Sequence, residues 1–108
     1  MKISVKERNN FQIFLVDGEI APGNVDQLEK FIFDNLHASS RGAALRFDHQ
    51  SSLSSTVIGA LVRIQKTIKA RGIKLGIITT DSVTISIFKI IGIADQFPFY
   101  RNEDDIPQ

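Results

Sequence analysis

The sequence predicts an α/β fold: a mixed sheet whose later strands run parallel, with helices packed against it. Three observations carry that expectation. Two strand-like runs flank Asn9-Asn10 near the start, as in a hairpin. Apolar strand runs then alternate with segments of helical period. The 108 residues, 43% hydrophobic and 23% charged, suit one domain with a single core.

Ile3 to Lys6 alternates apolar and polar residues, and Phe11 to Val16 is rich in aromatic and β-branched residues, so both read as strands. Asn9-Asn10 tolerates the left-handed angles of a tight turn. Asp17-Gly18 ends the second strand. Pro22-Gly23 breaks the chain, and Asn24 is placed to cap a helix. Val25, Leu28, Phe31 or Ile32, Asn35 and Leu36 keep a helical period. Asp26 and Glu29 suit the positive end of that helix, and Ser39-Ser40-Arg41-Gly42 terminates it. Ala43 to Asp48 is a short strand candidate.

His49 to Ser55 is a polar loop with four serines. A helical pattern begins at Thr56, with Val57, Leu61, Ile64 and Ile68 on one face and Arg63, Lys66 and Lys69 on the other. Arg71-Gly72 closes it with a cation and a C′ glycine. Ile73 to Thr79 is nearly all apolar, as expected of a strand covered on both faces. Asp81 or Ser82 caps a third helix running to about Ile91. Its inward residues are expected to be Val83, Ile87, Phe88 and Ile91, and Gly92 its stop. Phe97 to Tyr100 is a last extended piece. Residues 1–108 form one domain, and Asn102 to Gln108 is expected to be a frayed, flexible tail.

Composition excludes several classes. No cysteine is present, which removes disulfide scaffolds, thiolate zinc sites and cysteine nucleophiles. With 13 Lys+Arg against 12 Asp+Glu, the formal charge of +1 makes no electrostatic case for nucleic acid. The longest uncharged stretch, Gln50 to Val62, holds five Ser/Thr and is too short and polar to span a membrane. No apolar h-region follows Met1, so a cytoplasmic location is expected. No G-x-G-x-x-G or P-loop pattern occurs, and His37 and His49 do not make a metal motif.

The polar loop and the helix after it hold the most informative residues. They lie between the carboxyl end of a strand and a helix start, where sites gather in open α/β sheets. A hydroxyl there can cap the helix, or carry a phosphate that the dipole partly balances. Ser54 or Ser55 serving simply as N-cap is the plainer reading. Asp48, His49 and the serines invite a Ser-His-Asp reading, but no G-x-S-x-G elbow surrounds them. Val57 to Val62 lacks any polar side chain, so part of it faces a core and part is free for a partner. Gly59 inside that helix permits close approach of the sheet or of another protein.

In order along the chain, several segments resemble the STAS family, named for sulfate transporters and anti-sigma factor antagonists. Leu15-Val16-Asp17-Gly18-Glu19-Ile20 is similar to the family's early strand and "G-E-[IL]" turn. Ala44-Leu45-Arg46-Phe47-Asp48 is similar to the strand before its phosphorylation loop. Lys66 to Gly72, the strand after it, and Val83 to Ile93 resemble the later segments. The resemblance implies a STAS-like mixed sheet with helices chiefly on one side. The family motif D-S-[ST]-G-[LIV]-G corresponds to Ser54-Ser55-Thr56-Val57-Ile58-Gly59. Ser55 takes the phosphoacceptor position and Thr56 is second choice. Ser54 stands where the motif has aspartate. Val57 stands where it has its first glycine, which puts a β-branched side chain where glycine allows a kinase to come close.

What the resemblance implies about function is a non-enzymatic, phosphorylation-regulated interaction module. Its partners would be a GHKL-type serine kinase that doubles as an anti-sigma factor, and a metal-dependent serine phosphatase. The binding surface would comprise Ser54, Ser55, Thr56, Ile58, Gly59 and Val62. The kinase would hold the nucleotide, so no cofactor is assigned to this chain. A monomer or weak homodimer is expected, with the strand edge near Ile3 free to pair. The alternatives are a phosphorylation-independent STAS subunit of another assembly, in signalling or lipid transport, and a small serine hydrolase.

Overall fold

The structure, a computed structural model, describes residues 1–49 and 53–106. Ser51 and Ser52 of the polar loop, with Gln50, and Pro107 and Gln108 of the expected tail lie outside the described residues. Five strands form one sheet in chain order: β1 (Lys2–Arg8), β2 (Phe11–Asp17), β3 (Gly42–Asp48), β4 (Leu75–Ile78) and β5 (Phe99–Tyr100). β1 and β2 are antiparallel, and every later pairing is parallel. Helices α1 (Val25–Asn35), α2 (Ser55–Lys69) and α3 (Ser82–Ile91) are the three crossovers.

Local chemistry sets most of these boundaries. Asn9 and Asn10 hold φ values of 52° and 67°, a two-residue turn matched to the twist of a hairpin. Gly72 and Gly92, at φ 79° and 84°, stop α2 and α3 in the left-handed conformation that only glycine adopts cheaply. Asp81 caps α3 by accepting from the Val83 amide at 3.1 Å. Asn24 holds the expected N-cap position of α1, but its side chain makes no hydrogen bond to that helix. Its side chain accepts from the Ala21 amide at 3.1 Å, within a 3-10 turn that leads into α1. The apolar run Ile73 to Thr79 pairs as a strand only over Leu75–Ile78.

The main core lies between the sheet and all three helices. Phe14 and Val16 of β2, Leu45 of β3, and Leu75 and Ile77 of β4 meet Leu28 and Ile32 of α1, Leu61, Ile64 and Ile68 of α2, and Phe88 of α3. Phe88 packs edge-to-face on Phe97 and Phe99, with centroids 5.3 Å and 5.5 Å away. α3 buries less than its sequence suggests. Val83 and Ile91 are 61% and 52% exposed, contrary to the inward placement expected of them. The helix sits at the edge of the sheet, where β5 has only two residues, so a single row anchored by Phe88 reaches the core.

The opposite sheet face carries a smaller cluster of Phe11, Ile13, Ala44 and Ile78, closed by Ile106. Asn102–Ile106 therefore packs rather than frays. Glu103 pairs with Lys6 of β1 at 2.7 Å and with Arg46 of β3 at 3.2 Å, and Asp104 reaches Arg8 at 2.8 Å. Asn102 caps the short turn by accepting from the Asp105 amide. The segment's polarity suggested a free tail, but its acids meet basic strand residues and its one apolar side chain fills an apolar face. On this face two rings also lie over glycines. A Cβ on Gly42 would come within 2.4 Å of the Phe11 ring, and one on Gly76 within 2.5 Å of the Tyr100 ring.

Two buried amides secure the connections. Gln12 of β2 is fully buried: its Nε2 donates to the Asn35 carbonyl, and its Oε1 accepts from the His37 amide and the Ser40 hydroxyl. It satisfies backbone groups at the end of α1, where intrahelical bonds run out. Gln65 of α2 donates to the Gln96 carbonyl and accepts from the Leu75 amide. Replacing Gln12 by the similarly sized leucine leaves those three groups at the part-buried end of α1 without their partner. Gln12→Leu is expected to lower stability by about 3 kcal/mol in urea unfolding, where an exposed Gln27→Leu change moves it little.

Candidate functional site

The carboxyl ends of the parallel strands and the amino ends of α2 and α3 share one edge of the sheet. There Ser54 is the N-cap of α2. Its backbone is extended, and its hydroxyl accepts from the Val57 amide at 3.2 Å. Leu53 before it and Ile58 four residues after it are 8% and 5% exposed and join the same core, the N′ and N4 positions of a hydrophobic staple. The entry angle of α2 is thus set by Leu53, Ser54 and Ile58. Ser55 and Thr56 occupy the first turn, and both are exposed.

This division of roles decides between the readings of the serines. The cap belongs to Ser54, so the Ser55 hydroxyl is not needed for it. Aspartate and serine are equivalent caps, so Ser54 in the motif's aspartate position preserves the helix start. Val57 is 1% exposed and lies in the core. Its branched side chain therefore points away from anything approaching the helix, unlike the obstruction expected at that position. Ile58 is also core and is withdrawn from the expected partner surface. What remains accessible is a stripe at helical spacing: Ser55 and Thr56 exposed, with Gly59 and Val62 half-buried. A Cβ on Gly59 would meet only the Arg63 guanidinium at 4.0 Å, so internal packing does not demand glycine there. Arg63, next along the stripe, is tied to Glu29 of α1 at 2.6 Å.

Asp48 and His49 are engaged with other groups. Asp48 accepts from Arg46 at 3.3 Å, and its carbonyl accepts from the Gly18 amide. His49, at φ 59°, places Nδ1 2.6 Å from Asp17 Oδ1. The hydrogen bond with Asp17 raises the His49 pKa above its ordinary 6.5, and the same bond lowers that of Asp17 below 3.8. The histidine is paired with Asp17 rather than with Asp48, so among the described residues Asp48, His49, Ser54 and Ser55 are not joined as a Ser-His-Asp relay would require. Among the described residues no group of three or more His, Cys, Asp and Glu converges on a metal position. No described helix is long and apolar enough to cross a membrane.

The STAS domain family model matches residues 2–106. Among curated proteins none matches the sequence. The protein TM1081 of Thermotoga maritima superposes with a TM-score of 0.82 at 16% identity, over 97% of this chain and 85% of that one. Phosphorylated SpoIIAA of Bacillus superposes with a TM-score of 0.71 at 13% identity, over 97% and 96%. An anti-sigma factor antagonist from Mycobacterium paratuberculosis gives 0.75 at 19%, over 96% and 88%. At these identities the likeness is one of fold.

Two measurements check the site. The His49–Asp17 pair holds its charge between the acid and base titrations. Its contribution fades as pH rises through the raised His49 pKa, and as pH falls through the lowered Asp17 pKa. NMR titration of His49 should give a midpoint above 6.5, and Asp17→Asn should bring it back to the ordinary value. At Gly59, alanine adds helix propensity with room for its methyl group. Gly59→Ala should stabilise the fold by about 1 kcal/mol, seen as a melting point a few degrees higher.

Proposed function

From the premise that the chain belongs to the STAS family, we propose that it is a binding module, not an enzyme, in a partner-switching pathway. In this reading Ser55 is the phosphoacceptor and Thr56 the second choice. The partner is a GHKL-type serine kinase that serves as an anti-sigma factor. A metal-dependent serine phosphatase resets the module, and the exchange takes place in the cytoplasm. The observation that carries the reading is the exposed Ser55 hydroxyl in the first turn of a helix whose cap is supplied by Ser54. Phosphate there would sit against the positive end of α2, so modification changes the surface without unmaking the helix. The accessible stripe of Ser55, Thr56, Gly59 and Val62 supports a partner lying along α2, with Ser54 at its rim.

The test is phosphorylation and binding together. Incubation with the cognate kinase, ATP and Mg²⁺ should add one phosphate by intact mass, and Ser55→Ala should remain unmodified while binding normally. Ser55→Asp should weaken partner binding by at least about tenfold, or 1.4 kcal/mol by calorimetry, with an unchanged melting curve. A carboxylate at the first helical position suits the dipole, but at a drying interface it is desolvated without a partner. Full affinity in Ser55→Asp would reject the switch and favour a phosphorylation-independent STAS subunit of another assembly.

A further inference from the structure

The stretch from His49 to Thr80 contains five cations, Arg63, Lys66, Lys69, Arg71 and Lys74, and no Asp or Glu. Two of the five are occupied. Arg63 is paired with Glu29, and the Arg71 guanidinium lies 5.8 Å over the Phe33 ring. The other three converge: Lys66, Lys69 and Lys74 line one groove of about 700 Å³ between the end of α2 and the loop before β5. All three are exposed, and among the described residues none forms an ion pair. Asp95 is the only carboxylate among the described lining residues, and Phe97 and Pro98 give the groove an apolar side.

Helix electrostatics account for only part of this. Lys66 and Lys69 lie in the last turn of α2, where cations complement the dipole. Lys74 lies beyond the helix, at the entry to β4, and gains nothing from that dipole. Lys6 and Arg8 of β1 and Arg46 of β3 are matched by carboxylates of the C-terminal segment, whereas these three lysines share one groove with no ion pair among the described residues. Like charges gathered in one concavity raise the local positive potential and attract an anionic partner.

We propose that this groove docks an acidic peptide segment, one carrying several carboxylates along an extended chain. Lysines act as mobile point charges, and carboxylates spaced along an extended chain can meet three such charges one after another. An open groove with an apolar wall accepts carboxylates on one side and aliphatic stems on the other. The groove lies eleven residues along α2 from Ser55, about 17 Å at the helical rise. It is independent of the phosphorylation switch and adds a second contact for a partner.

The probe is hexaglutamate, titrated into the ¹⁵N-labelled chain at low salt. The expected result is amide shifts at Lys66, Lys69, Lys74 and Asp95 that shrink as salt is added. The Lys66→Gln/Lys69→Gln/Lys74→Gln variant should bind about tenfold more weakly with an unchanged melting curve. Lys89→Gln, a change in an exposed lysine on α3, should bind as the parent does, and so should Ser55→Asp, which separates this groove from the switch. Absent shifts, shifts elsewhere, or equal affinity in the triple variant would overturn the proposal. So would phosphatidylglycerol vesicles that bind the parent but not the triple variant while hexaglutamate shifts nothing, which would assign the lysines to a lipid surface.

Discussion

Four parallel strands that follow one another in chain order constrain everything else in this molecule. Right-handed crossovers between successive neighbours must all pass over the same side of the sheet. The three helices therefore share one face, and their amino ends share one edge. One consequence is the α2 start beside the carboxyl ends of the strands. The other is a second sheet face that no α-helix of the described residues covers, and there the chain lays its own Asn102–Ile106 segment. The same arrangement sends the cation-rich end of α2 to the edge opposite Ser55.

The constraint also creates a polar problem. Each crossover helix ends near the core with carbonyls and amides that its own hydrogen bonds cannot reach. Gln12 and Gln65 answer it from within the sheet and from within a helix, each offering a donor and an acceptor to the backbone of a neighbouring connection. A buried amide that is fully satisfied rigidifies its surroundings, and one that is half satisfied does the opposite. These two residues hold the loop after α1 and the turn before β5 at fixed heights above the sheet.

Element order was legible because its signals are local. Asn9-Asn10, Gly72, Asp81 and Gly92 each act through their own backbone or the next turn, and each stands where the sequence reading put it. The start of α2 was legible in the same way, a serine cap followed by a buried helical period, whereas Ser55 as a phosphoacceptor came only from the resemblance to the family motif. The misreadings were tertiary. Gln12 was given no role beyond its place in a strand, because nothing nearby in sequence announces that the end of α1 lies above it. Val83 and Ile91 read as core, because periodicity does not say how wide a sheet the helix will find. Ile58 read as surface, because the staple that buries it depends on Leu53. Ile106 was overlooked as one apolar residue among acids.

The rings over Gly42 and Gly76 tie pairs of positions together. Phe11 fills the space a side chain at 42 would need, and Tyr100 does the same at 76. Each glycine is therefore fixed by the size of an aromatic residue on the neighbouring strand. A larger residue at 42 or 76 becomes acceptable only if its ring shrinks in the same step. Among related chains the two sites of each pair should change together or not at all, so that the glycine and its ring form a single heritable unit.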